Sequence, residues 1–255
     1  MIDLHCHLLP GIDDGPRTIE ESVALARAAA QAGTQQIVAT PHVSSRYPNT
    51  ARTITRLVEQ LETRLDEEDI DIAIHRGAEI AMTQVAELDA GELERLHLGD
   101  GPWLLFEPPF APVAPGLETI VLELMALEHK VVIAHPERSP ALHRDLPILQ
   151  RLVDAGALCS ITASSLTGRF GRQVRRLAHQ LLRDHLVHNV ASDAHDIHSR
   201  PPALAQELEQ AGYAEIATWL TELVPRAILS GAPIPPRPQP SQRRESGVLS
   251  RLRRS

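Results

Sequence analysis

The first sixteen residues, MIDLHCHLLPGIDDGP (residues 1–16), place histidines and aspartates directly after a short apolar run. His5 and His7 lie two positions apart, so on an extended chain both side chains point to the same face. Asp13 and Asp14 follow on a loop, where an Asp-Gly pair is also typical of a turn. Two imidazoles with carboxylates close behind them can bind a transition-metal ion, which makes this segment a candidate metal site.

Four further motifs end predicted strands in the same way. They are Thr40-Pro41-His42, Gly77-Ala78-Glu79, His135-Pro136-Glu137-Arg138 and Ser192-Asp193-Ala194-His195. Glu107 likewise ends the apolar run 103–107. Each group alone could be a hydrogen-bonded core residue, but a buried carboxylate or imidazole is costly unless it is paired or bound to metal. Because the structural interpretation would have to hold independently at five strand ends, we expect one shared metal site.

Apolar, β-rich runs alternate with helical patterns as far as residue 230, which is typical of a parallel α/β fold. Thr18 and Glu21 form a capping box that begins the first helix, and Gly33 ends it. Strands are predicted near 2–5, 35–40, 71–78, 103–107, 130–135, 157–162 and 187–192, and further helices near 52–66, 117–129, 145–155, 172–184, 202–211 and 214–230.

Seven strands fit either a closed barrel or an open, doubly wound sheet. The candidate chemical groups follow at least five different strands, and only a barrel brings so many strand ends to one mouth. No glycine-rich nucleotide-binding loop follows any strand. The pattern therefore favours a closed barrel related to the eight-stranded α/β barrel.

Charge and composition exclude several function classes. The formal net charge is -8, which argues against a nucleic-acid binder. Two cysteines, no signal segment and no apolar stretch of about 20 residues predict a cytoplasmic protein that is not membrane-embedded. Residues 1–232 are predicted to form one domain. Residues 233–255, rich in Pro and Arg, are expected to be an extended or disordered tail that does not pack, with a solvated end favoured over a docking role.

The quoted motifs, in the order 1–16, 39–42, 134–138 and 192–195, resemble the polymerase and histidinol phosphatase (PHP) superfamily. Within it, the chain is most similar to the bacterial manganese-dependent protein tyrosine phosphatases of the CpsB/CapC capsular polysaccharide type. The similarity runs from residue 1 to about residue 230. It implies a distorted (β/α)7 TIM-like barrel, the PHP fold, with two or three Mn²⁺ ions at its mouth. Fe, Zn, Co and Mg remain alternative metals.

Carried onto this chain, the resemblance implies the metal ligands His5, His7, Asp14, His42, Glu79, Glu107, His135, Asp193 and His195. It also implies that Arg138 and Arg200 hold the phosphate, with Asp193 counted in the catalytic set. Asp14 is preferred over Asp13 because it directly precedes Gly15, and the choice between them stays open.

One departure from the family pattern lies in the stretch 159–168. Ser160 and Ser164 stand where the family more often has Gln and Gly, and the change bears on substrate fit more than on catalysis. The other eight histidines are interpreted as surface residues: His75, His97, His129, His143, His179, His185, His188 and His198.

The ligand set predicts hydrolysis by a water that adjacent divalent ions activate, bridge and orient toward phosphorus. A phosphocysteine route is excluded, because neither Cys6 nor Cys159 is followed six positions later by an arginine. Glu137 and His198 are candidate proton donors for the leaving group.

The expected substrate is a phosphotyrosine protein, namely a membrane-associated bacterial tyrosine kinase that regulates capsular or exopolysaccharide synthesis. The run 8–16 favours this function over a small-molecule phosphoesterase such as a histidinol phosphatase. A third hypothesis is a catalytically silent metal-binding module that docks to a partner. A missing ligand would support that third hypothesis, and none is missing.

Overall fold

Nine parallel strands form the wall of a barrel in the computed structural model, which describes residues 1–239. They are β1 Ile2–Cys6, β2 Gln36–Ala39, β3 His42–Val43, β4 Ala73–Arg76, β5 Glu79–Ala81, β6 Trp103–Glu107, β7 Lys130–Ala134, β8 Leu158–Thr162 and β9 Asn189–Ala191. One sheet has the order β1-β2-β4, and the other has the order β3-β5-β6-β7-β8-β9.

The nine segments follow seven strand paths, as the sequence predicts. Ala39 pairs with Arg76 and His42 pairs with Glu79, an offset of 37 residues in both cases, so β3 and β5 continue β2 and β4 in register. Pro41 has no backbone N–H to donate and interrupts the first path. At the matching break in the second path, a Cβ on Gly77 would lie 2.7 Å from Val38 Cγ1.

The barrel closes where the first strand path meets the last. Cys6 forms a parallel bridge with Ala194, and the His7 N–H donates to the Ala194 carbonyl at 2.9 Å. The Asp193 N–H donates to the His5 carbonyl at 2.8 Å. Closure confirms the predicted distorted (β/α)7 barrel, and it joins two of the candidate metal motifs along one seam.

Helices cover the outside of the barrel. They are α1 Ile19–Gln31, α2 Ala51–Glu67, α3 Ala90–Arg95, α4 Leu117–Ala126, α5 Pro140–Arg144, α6 Leu146–Asp154, α7 Ala163–Thr167, α8 Arg172–Arg183, α9 Leu204–Gln210, α10 Ala214–Thr218 and α11 Val224–Ser230. Short 3-10 turns lie at Met82–Glu87 and Pro136–Arg138, and a π-helical turn at Trp219–Leu223 joins α10 to α11. The predicted start of α1 is confirmed, because the Thr18 hydroxyl accepts the Glu21 N–H at 3.3 Å.

The buried apolar side chains of the strands and of the helices form one continuous core cluster. All five residues of β1 and of β8 are buried, so these strands do not alternate between apolar and polar positions. His129, predicted to be a surface residue, is buried, with Nδ1 2.9 Å from His97 Nε2. That prediction was wrong because the two imidazoles satisfy each other.

Residues 233–239 run along the barrel surface without helix or strand. The indole N–H of Trp219 donates to the Pro235 carbonyl at 3.0 Å, and Arg237 donates to the Leu182 carbonyl at 3.0 Å. Ile234 packs against the core. The prediction that the tail does not pack was therefore wrong for these residues, and the rest of the predicted tail lies outside the described residues. Over residues 1–239, no helix is both long and apolar enough to span a membrane.

Candidate metal centre

The strand paths deliver every predicted ligand to the mouth of the barrel. His5 lies in β1, His42 and Glu79 begin β3 and β5, and Glu107 ends β6. The remaining ligands lie in the connections that leave β1, β7 and β9 at the same end: His7, Asp14, His135, Asp193 and His195. Parallel strands in a closed barrel present all their carboxyl ends on one face, which accounts for this convergence.

Four groups of side chains in residues 1–239 have ligand atoms within 4.8 Å of one another. The groups are His7, Asp14, His42 and His195; His5, His7 and Asp193; His5, Glu79 and His135; and His42, Glu79 and Glu107. Together they contain all nine predicted ligands. Because His5, His7, His42 and Glu79 each belong to two groups, the arrangement suits adjacent ions that share ligands.

The Glu79 carboxylate lies at the centre of these groups. Its Oε2 is 3.2 Å from His5 Nε2, 3.2 Å from His7 Nε2 and 3.0 Å from His42 Nδ1. This oxygen is buried, yet none of its contacts among the described residues has hydrogen-bond geometry. A buried polar atom without a partner requires an explanation. The convergence of three ring nitrogens on one carboxylate oxygen fits a cation held between them.

Two carboxylates approach the same nitrogen of His42, whose Nδ1 lies 3.0 Å from Glu79 Oε2 and 3.9 Å from Glu107 Oε2. Burial, followed by the negative charge of Glu79, raises the pKa of Glu107 to about 8. Burial also acts to raise the pKa of Glu79, but interactions with His5 and His135 outweigh it and hold that pKa well below its ordinary value. A divalent cation is the group that would relieve repulsion between two such carboxylates, so the electrostatics fit a metal site.

The Asp13 carboxylate orients the residues around it. Its Oδ2 lies 2.7 Å from His7 Nδ1 and accepts the backbone N–H of His42 at 3.1 Å, while its Oδ1 accepts the Gly15 N–H at 2.9 Å. A carboxylate on the far nitrogen of an imidazole fixes the ring orientation and tautomer. Asp13 therefore holds His7 with Nε2 directed at the other ligands.

The Asp14 carboxylate points in a different direction from that of Asp13. Its Oδ1 lies 3.4 Å from His195 Nε2 and 3.5 Å from His42 Nε2. Hydrogen bonding to His195 contributes to holding the pKa of Asp14 far below its ordinary value. The geometry thus favours Asp14 over Asp13 as the candidate ligand, because Asp13 instead supports the His7 ring.

Two arginines converge on one oxygen of Asp193. Arg138 Nη1 donates to Asp193 Oδ2, and Arg200 Nη2 forms an ion pair with the same oxygen at 2.5 Å. Arg200 Nη1 lies 2.8 Å from His195 Nε2. Both guanidinium groups thus stand at the edge of the ligand groups, where their planar forks match the geometry of a phosphate.

Two site residues have a left-handed backbone conformation that non-glycine residues rarely adopt. The φ angle is +30° at His135 and +52° at Asp193. Such conformations cost about 1–3 kcal/mol and persist where the surroundings impose them. Here the His135 N–H donates to the Ser160 carbonyl at 2.7 Å, and the Asp193 N–H donates to the His5 carbonyl at 2.8 Å.

Asp3 is a supporting residue that the sequence motifs leave without a role. It is fully buried and accepts the Ser192 N–H at 3.0 Å and the Ser192 hydroxyl at 2.5 Å. Burial raises the pKa of Asp3. These bonds tie β1 to the start of the motif that carries Asp193, so Asp3 holds the two halves of the seam together.

Aromatic side chains also reach the mouth, and no sequence motif marks them. The Arg138 guanidinium lies 4.4 Å from the Phe170 ring centroid and 5.2 Å from that of Phe110. Phe110 is 54% exposed and lies 5.5 Å from the His135 ring. Both rings come from loops, where residue periodicity gives no signal.

The two candidate proton donors differ in position. Glu137 is fully buried, with Oε1 accepting the Thr162 N–H at 2.9 Å and the Ser165 hydroxyl at 2.7 Å. Burial raises its pKa to about 7, but its hydrogen bonds hold it against β8 and α7, so a structural role fits it better. His198 is exposed and lines a cleft of about 320 Å³ together with Asp14 and His195.

Neither cysteine is suited to act as a nucleophile. Cys6 and Cys159 are fully buried, and burial raises the pKa of each thiol. A buried thiol that resists ionisation is a poor nucleophile. The geometry therefore agrees with the exclusion of a phosphocysteine route.

A parallel barrel whose strand ends gather imidazoles and carboxylates is the architecture of a metal-dependent hydrolase. The family model for capsular polysaccharide synthesis proteins of the CpsB/CapC type matches residues 1–215. The chain belongs to this family.

Named relatives agree with the family. The chain is 35% identical over 249 residues to the tyrosine-protein phosphatase YwqE of Bacillus subtilis (strain 168), covering 96% of this chain and 98% of that protein. It is 34% identical over 227 residues to the putative tyrosine-protein phosphatase CapC of Staphylococcus aureus, covering 86% and 88% of the two chains. The predicted family and enzyme class, a phosphatase acting on phosphoric monoesters, are thereby confirmed at the level of the family.

Solved structures agree on the fold. A crystal structure from work on YwqE of Bacillus subtilis and CpsB of Streptococcus pneumoniae, described as metal-dependent tyrosine phosphatases, matches with a TM-score of 0.80 and 34% identity. That match covers 94% of this chain and all of the other. A β-aspartyl dipeptidase from Fervidobacterium islandicum AW-1 matches with a TM-score of 0.54 at 12% identity, over 89% of this chain and 72% of that one, which shows a shared fold alone.

Proposed function

We propose that this chain hydrolyses phosphotyrosine in proteins and that its metal ions are bound by the nine side chains gathered at the barrel mouth. The observation that carries the proposal is the position of Arg138 and Arg200, which contact Asp193 at the edge of the ligand groups. Two permanent cations beside a metal-binding set provide a receptor for a phosphate dianion. Relatives named tyrosine-protein phosphatases support the same activity.

The ligand set we propose is His5, His7, Asp14, His42, Glu79, Glu107, His135, Asp193 and His195. Mixed imidazole and carboxylate ligands favour Mn²⁺, with Fe, Zn, Co and Mg as alternatives, and the overlapping groups suit two or three ions. When bound, such ions supply an activated water and neutralise charge on the phosphoryl oxygens. Glu79 belongs to two of these groups, so its carboxylate would contribute to holding more than one ion.

The protein groups have distinct roles in this proposal. Arg138 and Arg200 bind the phosphoryl oxygens, and their contacts with Asp193 keep both guanidinium groups in place before substrate arrives. Asp13 holds the His7 ring in one orientation. A phenolate leaving group, whose conjugate acid has a pKa of about 10, needs less proton donation than an alkoxide would.

Phe110 and Phe170 support an aryl phosphate as the substrate. Both rings lie within 5.2 Å of Arg138, so they flank the residue proposed to bind the phosphate. Because more than half of Phe110 is exposed, its side chain offers apolar surface that can pack against a phosphotyrosine ring. A small polar substrate such as histidinol phosphate would use this apolar surface less well.

The physiological substrate we propose is a membrane-associated bacterial tyrosine kinase, with the reaction taking place in the cytoplasm. The family's link to capsular polysaccharide synthesis supports this assignment. The role would be to reverse the kinase's phosphorylation during capsular or exopolysaccharide synthesis.

A substrate panel tests the proposal. With Mn²⁺ present, the chain should hydrolyse a phosphotyrosine peptide much faster than a phosphoserine peptide of the same sequence or histidinol phosphate. Arg138→Ala and Arg200→Ala, the matched removals of the two proposed phosphate ligands, should each reduce kcat/KM on the phosphotyrosine peptide. A preference for histidinol phosphate would assign the site to a small-molecule phosphoesterase, and metal binding without any turnover would favour a docking module.

A further inference from the structure

A stripe of arginines lies on the outer face of α8. Residues 155–183 contain five arginines and no Asp or Glu, in a chain whose net charge is -8. Four of them are exposed on α8 and line a shallow groove together with His179: Arg172, Arg175, Arg176 and Arg183. Their spacing places them on one helical face, opposite the buried leucines that hold α8 to the barrel.

The stripe has no acidic partners of its own. Within residues 1–239, none of the four arginines of α8 has an Asp or Glu oxygen within 4.0 Å, although the nearby Arg169 approaches Glu207 at 4.0 Å. Like charges three or four positions apart on a helix repel each other and destabilise it. The stripe therefore has unneutralised positive charge that an anionic partner could bind.

The stripe begins beside the proposed phosphate site. Phe170, two residues before Arg172, packs on the Arg138 guanidinium at 4.4 Å. In the first turn of α8, Gln173 Nε2 lies 3.2 Å from His143 Nδ1. His143 in turn contacts the Glu137 carbonyl, next to Arg138. A substrate polypeptide whose phosphotyrosine enters the barrel mouth can therefore continue along α8.

We infer that the α8 arginine stripe binds an acidic segment of the phosphorylated protein, adjacent in sequence to the phosphotyrosine. This inference rests on the proposed function and narrows its substrate class to phosphotyrosine flanked by Asp or Glu. The 12 residues of α8 extend about 18 Å, which an extended peptide covers in about five or six residues. The acidic residues should therefore lie within about six positions of the phosphotyrosine.

A peptide fits this surface better than a lipid bilayer does. An interfacial helix needs large apolar side chains that enter the membrane. In the part of the chain that the structure describes, the exposed large apolar side chains all lie outside α8: Phe110, Val113, Leu122, Leu127, Ile197 and Leu223. The α8 surface is a groove lined by charged side chains, which suits an extended acidic segment.

The test compares two phosphotyrosine peptides that differ only in their flanking residues, four Glu in one and four Gln in the other. Exposed ion pairs are individually weak, so several together should give the acidic peptide an advantage of about five- to tenfold in kcat/KM at low salt. In Arg175→Glu/Arg176→Glu this advantage should fall to about onefold or reverse. The matched control is Arg52→Glu/Arg56→Glu, which makes the same charge change on an exposed groove of α2.

Hydrolysis of para-nitrophenyl phosphate, which has no flanking residues, should be unchanged in both double variants. An acidic advantage that survives in Arg175→Glu/Arg176→Glu, or that falls equally in the α2 control, would overturn the inference. If neither peptide is hydrolysed, the proposed function fails, and fluorescence anisotropy of a labelled acidic peptide still tests the stripe. Loss of binding to phosphatidylglycerol vesicles, with peptide binding unchanged, would assign the stripe to a membrane instead.

Discussion

The Oε2 atom of Glu79 lies 3.0 Å from the Nδ1 atom of His42, and no hydrogen bond within the described residues satisfies that oxygen. A buried carboxylate oxygen without a partner is unfavourable, and a metal cation held close to both atoms would supply that partner. The relationship connects the fold to the chemistry, because each residue begins a short strand just beyond a break in its strand path.

Asp13→Asn should weaken Mn²⁺ affinity by about 10- to 100-fold, the usual cost of losing a carboxylate that orients a ligating histidine. The reason is that an amide cannot fix the His7 ring as the carboxylate does at 2.7 Å. Isothermal titration of metal-stripped protein measures the change. The matched control Asp71→Asn, at an exposed position before β4, should bind Mn²⁺ as the wild type does. Equal Mn²⁺ affinities of the wild type, Asp13→Asn and Asp71→Asn would show that Asp13 does not support metal binding.

Phe110→Ala should lower kcat/KM for a phosphotyrosine peptide by about three- to tenfold, the value of one aromatic pair. Alkyl phosphates have no ring to pack against Phe110, so their hydrolysis should change little. Steady-state kinetics on both substrates provides the comparison, with Leu127→Ala as the control at another exposed apolar residue. A proportional loss on both substrates would mean that Phe110 does not recognise the ring.

Replacing both cysteines should leave most of the activity. In the variant Cys6→Ser/Cys159→Ala, the new hydroxyl can donate to the Ala194 carbonyl, which the Cys6 thiol approaches at 3.7 Å. Turnover of a phosphotyrosine peptide measures the effect, and circular dichroism checks the fold. Loss of turnover with the fold retained would contradict hydrolysis without a cysteine nucleophile.

Protonation of His188 should destabilise the fold at acid pH. Burial, with the charge of Arg237 second, lowers the pKa of His188 to about 4. The neutral ring accepts the Cys159 N–H at 3.3 Å, which a charged ring cannot do. The unfolded chain therefore binds the proton more tightly, and the contribution of His188 is present above about pH 6.5 and is lost as pH falls toward 4.

Denaturant unfolding of the wild type and His188→Gln at several pH values tests this contribution. The free energy of unfolding of the wild type should fall by about 2–3 kcal/mol more than that of the variant between pH 7 and pH 4. Parallel pH profiles for the two proteins would show that His188 does not titrate in this way.

The sequence predicts the strand paths and their polar ends well, because six of the seven apolar runs lead into a candidate metal ligand such as His42 or Glu107. It predicts poorly what depends on contacts between distant segments. Asp3 and Ser192 are 189 positions apart, and no local pattern links them. The left-handed backbone at His135 and Asp193 is imposed by neighbouring strands, so it has no signature in the residues themselves.

Short elements were also missed for a physical reason. Helices α3, α5 and α7 have five or six residues, which is too short for a helical period to emerge from the sequence. Phe110 and Phe170 lie in loops and become candidates only because both rings contact Arg138. The composition of the segment 233–239 predicts an unpacked tail, yet the Trp219 indole N–H donates to the Pro235 carbonyl within it.

The central claim is that this chain is a metal-dependent phosphotyrosine phosphatase. The most direct test strips the protein of metal and measures hydrolysis of a phosphotyrosine peptide with and without added Mn²⁺, for the wild type and for Glu79→Gln. We predict no turnover without metal, restored turnover of the wild type with Mn²⁺, and little restoration in Glu79→Gln, whose metal content should also be lower. Full activity of the stripped wild type, or full Mn²⁺-dependent activity of Glu79→Gln, would contradict the account.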